Sequence, residues 1–331
     1  MAAHHVIAVT EPSQVGEARR HAARLASELG FGEVAAGEAA IVVTELATNL
    51  ARHARGGRLL FATSDDGAIE LLSLDDGPGM ADVAACLRDG FSTAGTPGNG
   101  LGAVKRLATR FSIYSLPGKG TVIGVRLTSG AATPAPAGYR IGAVSLAAPG
   151  ETACGDAWRF RQGGERAELL VADGLGHGPV AAEAADAAVV VFDDMPGATP
   201  SVILERAHSR LRTTRGAAVA IATLDDRTRQ IVFSGAGNIA GRIISGVGDR
   251  TLLSQHGTVG FQVRHLQDMT YDWPPHALLV LHSDGIVTRW SPADAPGLLQ
   301  CDPLVIAGWL IREHFRGHDD ATVAVVQRIA A

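Results

Sequence analysis

The run Gly130-Ala131-Ala132-Thr133-Pro134-Ala135-Pro136-Ala137-Gly138 divides this chain more sharply than any other feature. Two prolines among small residues oppose both a helix and a central strand, so patterned sequence stops here and starts again afterwards. A chain of 331 residues also exceeds one average core, because single domains mostly span about 100–200 residues. The expected organisation is a domain over 1–129, a linker over 130–138 and a second domain over 139–331. No internal repeat relates the two halves.

Composition serves mainly to exclude. Hydrophobic residues make up 46% of the chain and charged residues 19%, the balance of a globular protein and not of a disordered, collagen-like or coiled-coil one. The formal net charge is -5, and the 29 Lys and Arg residues are scattered, so the footprint expected of a nucleic-acid binder is missing. Cys86, Cys154 and Cys301 lie far apart and suggest neither a disulfide framework nor a CxxC metal site. The start, with His4 and His5 before Val6-Ile7-Ala8-Val9, lacks the features of a signal peptide. No apolar stretch reaches the roughly 20 residues of a membrane span. Cytoplasmic residence, with no nucleic-acid or membrane partner, is the expectation.

Upstream of the linker, apolar periodicity predicts helices over 12–29 and 37–53, the second with a stripe at Ile41, Val42, Leu46 and Leu50. Strands are expected over 59–64, 69–74, 111–116 and 121–127, with a helix over 102–108 between them. That order describes an α+β sandwich with helices over one mainly antiparallel sheet. Downstream, strands are expected over 141–146, 168–172, 217–224, 230–234, 241–244, 277–282 and 321–327, and helices over 180–193, 200–214 and 303–315. Many strands with long central helices suggest two sheets packed face to face and flanked by helices.

In the downstream half, aspartates recur where predicted strands end. Asp156 follows Gly155, Asp173 follows Leu170-Val171-Ala172, Asp284 follows His282-Ser283, and Asp319-Asp320 precede Ala321-Thr322. Carboxylates on the rim of a packed sheet offer hard oxygen ligands to divalent cations that keep some of their waters. Glycine after the aspartate, as in Asp173-Gly174 and Asp284-Gly285, allows a tight turn in which a carbonyl can join the ligand set. A single Asp-Gly is usually just a turn; four such motifs in one half are harder to read that way.

These motifs, in this order, resemble the bacterial branch of the metal-dependent PP2C-type phosphatases, which includes the sporulation stage II phosphatase and stress-response regulators. The resemblance covers 139–329 and implies a PP2C-like αββα sandwich that removes phosphate from phosphoserine or phosphothreonine. It implies Asp156, Asp173, the Gly174 carbonyl, Asp284, Asp319 and Asp320 as ligands for Mn²⁺ or Mg²⁺. His177, in a Gly-His-Gly turn, reads as a loop hydrogen-bonding residue more readily than a general acid. His282 reads as a packing residue within a strand, and Gly235-Ala236-Gly237-Asn238 as a structural β-turn.

In the upstream half, Glu45, Asn49 and His53 fall at i, i+4 and i+8 and share one helix face. Alone this is a solvated polar face. Two later segments alter that reading. Asp75-Asp76-Gly77-Pro78-Gly79-Met80 sets a carboxylate beside glycines at a strand end, and Gly98-Asn99-Gly100-Leu101-Gly102-Ala103 opens a helix whose free N–H groups suit polyphosphate. With Gly118-Lys119-Gly120-Thr121 closing the series, this half resembles the GHKL (Bergerat) ATPase fold of histidine kinases and anti-sigma-factor serine kinases. The run from Gly102 to Phe111 is similar to the switch-kinase subgroup that phosphorylates STAS proteins.

That resemblance implies ATP and Mg²⁺ as cofactors. Asn49 would hold the metal, Asp75 would read the adenine amino group, and Gly77 and Gly79 would shape the pocket. Gly100, Leu101 and Gly102 would cradle phosphates, with His53 and Thr121 completing the nucleotide site. Glu45 would accept the proton of a substrate hydroxyl. The segment from Met80 to Thr96 is the expected lid. No histidine phosphoacceptor domain precedes this half, so autophosphorylation on histidine is not expected.

Together the halves lead to a bifunctional partner-switching regulator acting on a STAS-domain anti-anti-sigma or stressosome protein. A sigma factor or a downstream phosphatase or cyclase is a further partner, and a homodimer is compatible with the sequence. Two other readings stand beside it: a phosphatase governed by an ATP-sensing, kinase-inactive N-terminal half, and a non-catalytic module that binds a sigma factor.

Overall fold

The computed structural model describes residues 3–54, 56–88, 100–130, 138–246, 248–263 and 265–329. The chain forms two compact units, His4–Pro134 and Ala135–Ala331 together with Met1–Ala3.

In the N-terminal unit the elements are β1 (His5–Ala8), α1 (Pro12–Glu28), α2 (Glu33–His53), β2 (Gly57–Thr63), β3 (Ile69–Asp75), α3 (Val83–Cys86), α4 (Gly100–Leu107), β4 (Arg110–Ser115) and β5 (Thr121–Leu127). The strands form one sheet in the order β1-β2-β3-β5-β4, antiparallel throughout. α1 starts where Glu11 and Gln14 exchange side-chain and backbone hydrogen bonds in a capping box, with Pro12 in the first turn.

α2 begins at Glu33, four residues ahead of the glycine at which the sequence pattern places its start. An interior glycine costs a helix only about 1 kcal/mol, which burial of a long apolar face outweighs. That face is Ala39, Val42, Val43, Leu46, Ala47 and Leu50, which packs on Leu59, Phe61, Ile69 and Leu71 of the sheet. Ile41, expected in the stripe, falls outside this i, i+3, i+4, i+7 series and is 48% exposed. By length and composition α2 could cross a membrane, contrary to the expectation that no segment reaches that length; here its apolar face covers the sheet. The strand β1 has only Ile7 buried of its four residues, too short an alternation to announce itself in sequence.

The C-terminal unit contains β6 (Gly138–Leu146), β7 (Asp156–Gly163), β8 (Arg166–Gly174), α5 (Pro179–Asp194), α6 (Pro200–Arg210), β9 (Ala217–Asp225), β10 (Gln230–Ala236), β11 (Ala240–Ser245), β12 (Gly248–Leu252), β13 (Gly257–Thr258), β14 (Gln262–Val263), β15 (Met269–Asp272), β16 (Leu278–His282), α7 (Pro303–His314) and β17 (Ala321–Ile329). Two five-stranded sheets, β15-β10-β9-β8-β7 and β12-β11-β16-β17-β6, enclose a shared core of Trp158, Leu169, Val171, Phe233, Trp273, Leu279 and Leu281 among others. α5 and α6 cover the outer face of the first sheet through Ala184, Ala188, Phe192, Ile203 and Leu204. α7 packs on β6 and β17 of the second. The result is an αββα sandwich. The expected helix over 200–214 ends at Arg210 and continues as a 3₁₀ turn, Leu211–Thr213.

Candidate functional site

The aspartates gather at one end of the sandwich. Asp156 opens β7, Asp173 lies one residue from the end of β8, and the antiparallel register pairs the two directly. They share a face, the one that carries Trp158 and Val171 into the core between the sheets. Opposite them, Asp284 follows β16 and Asp319-Asp320 precede β17.

A net of short bonds ties the two sheets together at this point. Ser283 Oγ donates to Asp156 Oδ2 at 2.6 Å and accepts from the Thr322 N–H at 2.9 Å. The Thr322 and Ser145 hydroxyls are 2.8 Å apart. Asp320 Oδ1 accepts from the Ala148 N–H at 2.8 Å, and Asp319 Oδ1 accepts from the Asp320 N–H at 2.9 Å. A Cβ on Gly155 would lie 2.6 Å from Asp320 Oδ2, so the small residue before Asp156 lets the second sheet's carboxylate approach. A Cβ on Gly174 would collide with the Ala181 carbonyl in α5; glycine keeps the turn after Asp173 closed against the helix.

Electrostatics mark this cluster as unbalanced. Burial, reinforced by the charges of Asp156, Asp284, Asp319 and Asp320, pushes Asp173 up to about 9. Burial and the Asp320 and Asp284 charges push Asp156 up to about 7 against the opposing Ser283 bond. Burial raises Asp320 as well. Asp156 Oδ1 and Asp320 Oδ2 are buried without a hydrogen-bond partner. Orphaned carboxylate oxygens that repel one another form a donor set suited to a hard divalent cation. Among the described residues, no three Asp, Glu, His or Cys side chains converge as a ligand group; an ion held here would complete its shell with waters. Mg²⁺ and Mn²⁺ fit that donor set.

The remaining C-terminal residues sort themselves by burial. His177 is exposed, and its Nδ1 donates to Glu151 Oε1 at 2.6 Å. His282 is 1% exposed, bonds the Ser283 carbonyl, and is held neutral by burial, which pushes it down to about 4; it packs. The Gly235–Asn238 stretch is not a simple turn. Gly235 and Ala236 finish β10, and the Asn238 amide donates to Asp284 Oδ2 at 2.7 Å. Motif reasoning alone does not find Asn238. The signal it carries is an amide side chain one glycine beyond the end of a strand, near a strand end as the aspartates are.

In the N-terminal unit, Glu45 and Asn49 stand half-buried on α2 and His53 is exposed at its end. A Cβ on Gly100 would lie 2.5 Å from Glu45 Oε2, so the first turn of α4, Gly100-Leu101-Gly102, begins against that carboxylate. Asp75 ends β3 and pairs in register with Thr121 of β5 on one side and Gly57 of β2 on the other. Its Oδ1 accepts from the Gly77 N–H at 2.8 Å. A Cβ on Gly77 would lie 2.8 Å from the His53 carbonyl oxygen, so the backbone of His53 borders the Asp75 turn. Gly79, at φ 66°, packs on the Leu116 backbone. The Met80 N–H donates to Ser115 Oγ at 2.9 Å, and that hydroxyl lies 2.9 Å from Thr121 Oγ1. Asp75, Gly77, Gly79 and Thr121 thus gather where β3 ends and β5 begins, beside the end of α2. Glu45, one turn before Asn49 on α2, meets the first turn of α4. Gly98, Asn99 and the lid segment from Asp89 onward lie outside the described residues.

Comparison with known proteins finds relatives of each unit. The family model of stage II sporulation protein E (SpoIIE) matches residues 163–328, and that of the histidine kinase-like ATPase domain matches residues 8–127. The serine/threonine-protein kinase RsbT of Bacillus subtilis (strain 168) is 38% identical over 109 residues, 32% of this chain and 82% of that protein. The phosphoserine phosphatase RsbX of the same organism is 24% identical over 138 residues, 41% of this chain and 69% of that protein. A solved structure described as the bacterial stressosome, a modular system adapted to control secondary messenger signalling, shares 30% identity at a TM-score of 0.54, covering 57% of this chain and 99% of that chain. The chain belongs to the SpoIIE family through its C-terminal unit and carries a histidine kinase-like ATPase domain ahead of it.

Proposed function

We propose that this member of the SpoIIE family is a bifunctional partner-switching regulator, whose N-terminal unit phosphorylates a serine or threonine on a STAS-domain protein and whose C-terminal unit removes such a phosphate. The observation that carries the phosphatase activity is the register pair Asp156–Asp173 facing Asp284, Asp319 and Asp320 across the two sheets. Cations bound there would supply a water of lowered pKa and a clamp for the phosphoryl oxygens. The chain's own part is to fix the ligands. Ser283 orients Asp156, Asn238 orients Asp284, and the Gly174 turn offers a carbonyl beside Asp173.

For the kinase activity, the residues from Asp75 to Gly100 would supply what phosphoryl transfer needs, positioning and a base, with little covalent work for the protein. The Asp75–Thr121 end would hold adenine. The first turn of α4 would receive the phosphates, and Glu45 beside it would accept the hydroxyl proton. Asn49, one turn on, would hold Mg²⁺. The kinase name of the N-terminal relative supports this reading, and the phosphatase name of the C-terminal relative supports its reversal. On this reading the partner is a cytoplasmic STAS-domain protein.

The test incubates the full chain with labelled ATP, Mg²⁺ and a panel of STAS proteins, then adds Mn²⁺. Labelled serine or threonine that disappears on adding Mn²⁺ supports both activities. Mn²⁺-dependent hydrolysis of a phosphorylated STAS protein with no labelling from ATP leaves a phosphatase with an ATP-sensing half and overturns the kinase claim.

A further inference from the structure

We infer that Arg215 is the substrate-binding residue that grips the phosphoryl group at the aspartate cluster; this inference rests on the phosphatase activity proposed above. Arg215 lies in the short connection between the 3₁₀ turn after α6 and β9. The β8–β9 ladder pairs Asp173 with Ala218 and Gly174 with Ala217. Beyond it the same spacing continues, because the Leu175 N–H donates to the Gly216 carbonyl at 3.0 Å. Arg215 is therefore carried alongside Gly176, two residues past the carbonyl offered by Gly174.

The side chain follows the backbone. A Cβ built on Gly176 would lie 3.1 Å from Arg215 Nη1, so the guanidinium rests on the bare backbone of the Asp173–Gly178 turn. Gly176 at φ 93° and Gly216 at φ 81° hold both backbones in conformations that only glycine takes easily, which fixes the platform under the guanidinium. The Gly216 end is further pinned by the pairing of Ala217 with Val259.

Arg215 is exposed, and among the described residues it makes no hydrogen bond or ion pair. The five carboxylates sit at strand ends of the two sheets, and the Arg215 guanidinium lies over Gly176 in the turn that follows Asp173. A planar guanidinium with donors free is suited to a dianionic phosphoryl group, which it can bind through two parallel N–H bonds. Cations held by the cluster would neutralise the phosphoryl charge, and Arg215 would bind the same group from the Gly176 turn. The ligand class is a phosphate monoester, recognised through its phosphoryl group and not through the protein that bears it.

The experiment uses the full chain loaded with Mn²⁺, p-nitrophenyl phosphate as substrate, and inorganic phosphate as both competitive inhibitor and calorimetric ligand. Arg215→Ala should raise KM for the ester and Ki and Kd for phosphate by about tenfold, with a smaller effect on kcat and an unchanged Mn²⁺ titration midpoint. Arg215→Lys should recover part of the loss. Unchanged KM, Ki and Kd in Arg215→Ala, with the wild-type chain active, would overturn the assignment. So would an effect confined to a phosphoprotein substrate, because it would place Arg215 against the protein body. A wild-type chain that hydrolyses neither substrate with Mn²⁺ removes the phosphatase reading itself.

Discussion

The Asn238 amide donates to Asp284 Oδ2 at 2.7 Å, so a residue from the β10–β11 connection decides which oxygen of Asp284 is left for a cation. Partners that orient ligands typically contribute 10–100-fold to metal affinity or activity. Asn238→Ala should therefore raise the Mn²⁺ concentration for half-maximal hydrolysis by about tenfold or more, while the circular dichroism spectrum stays that of the parent. A titration midpoint within a factor of two of the parent would show that Asp284 is positioned by other contacts.

Asp173 sets the pH response of the metal-free protein. Its carboxyl, pushed up to about 9 by burial and by four neighbouring carboxylates, holds its proton in the folded state where the unfolded chain has released it. Stability from this group is complete below the ordinary value of 3.8 and is lost as pH rises towards 9. In the presence of a chelator, the melting temperature of the C-terminal unit should fall between pH 5 and pH 9, and added Mn²⁺ should restore it. Asp173→Asn should flatten the chelated profile and abolish Mn²⁺-dependent hydrolysis. A chelated profile equally steep in the variant would place the repulsion elsewhere.

Glu45 and Asn49 separate in a different assay. Glu45→Gln keeps the shape of the side chain that borders Gly100 but removes the base, so nucleotide binding should persist while labelling of a STAS protein falls by about 100-fold or more. Asn49→Ala should weaken Mg-dependent nucleotide binding. Normal phosphoryl transfer by Glu45→Gln would put the base at another residue.

His21 gives the N-terminal unit an acid limit. It is buried against Phe61, stacked on His5 with ring centroids 4.2 Å apart, and accepts from Arg24. Burial, then the His5 and Arg24 charges, push it down to about 4 from 6.5. The unfolded chain takes up the proton first, so stability from this group is complete above 6.5 and is lost as pH falls towards 4. Denaturant midpoints for this unit should drop across that window, and His21→Phe should shallow the drop. Parallel slopes for the two proteins would assign the acid sensitivity to other groups.

Long periodic elements are legible in the sequence, and sheet edges are not. The buried face of α2 and the apolar runs of β8, β9, β16 and β17 each carry a period that the residues display. β7 begins on Asp156 and, at a sheet edge, alternates Trp158 and Phe160 with Arg159 and Arg161, so no apolar run marks it. β12 to β15 are short and polar, and only the sheets they border define them. The carboxylates stand out because motif and strand end coincide. Ser283, Thr322 and Asn238 do not, since their roles arise from contacts between segments as much as 177 residues apart, such as Thr322 with Ser145. Glu45 is legible as one member of a polar face, but its juxtaposition with Gly100 arises only once α4 packs on α2.

The two halves of the aspartate cluster arrive on separate layers, Asp156 and Asp173 on one and Asp284, Asp319 and Asp320 on the other. Cation affinity is therefore a gauge of how squarely those layers sit on one another. A substitution deep in the core, remote from every ligand, should change metal affinity by disturbing that alignment. By reciprocity, a bound ion would act as a rivet through the sandwich, and hydrolytic competence and mechanical alignment would then be one property.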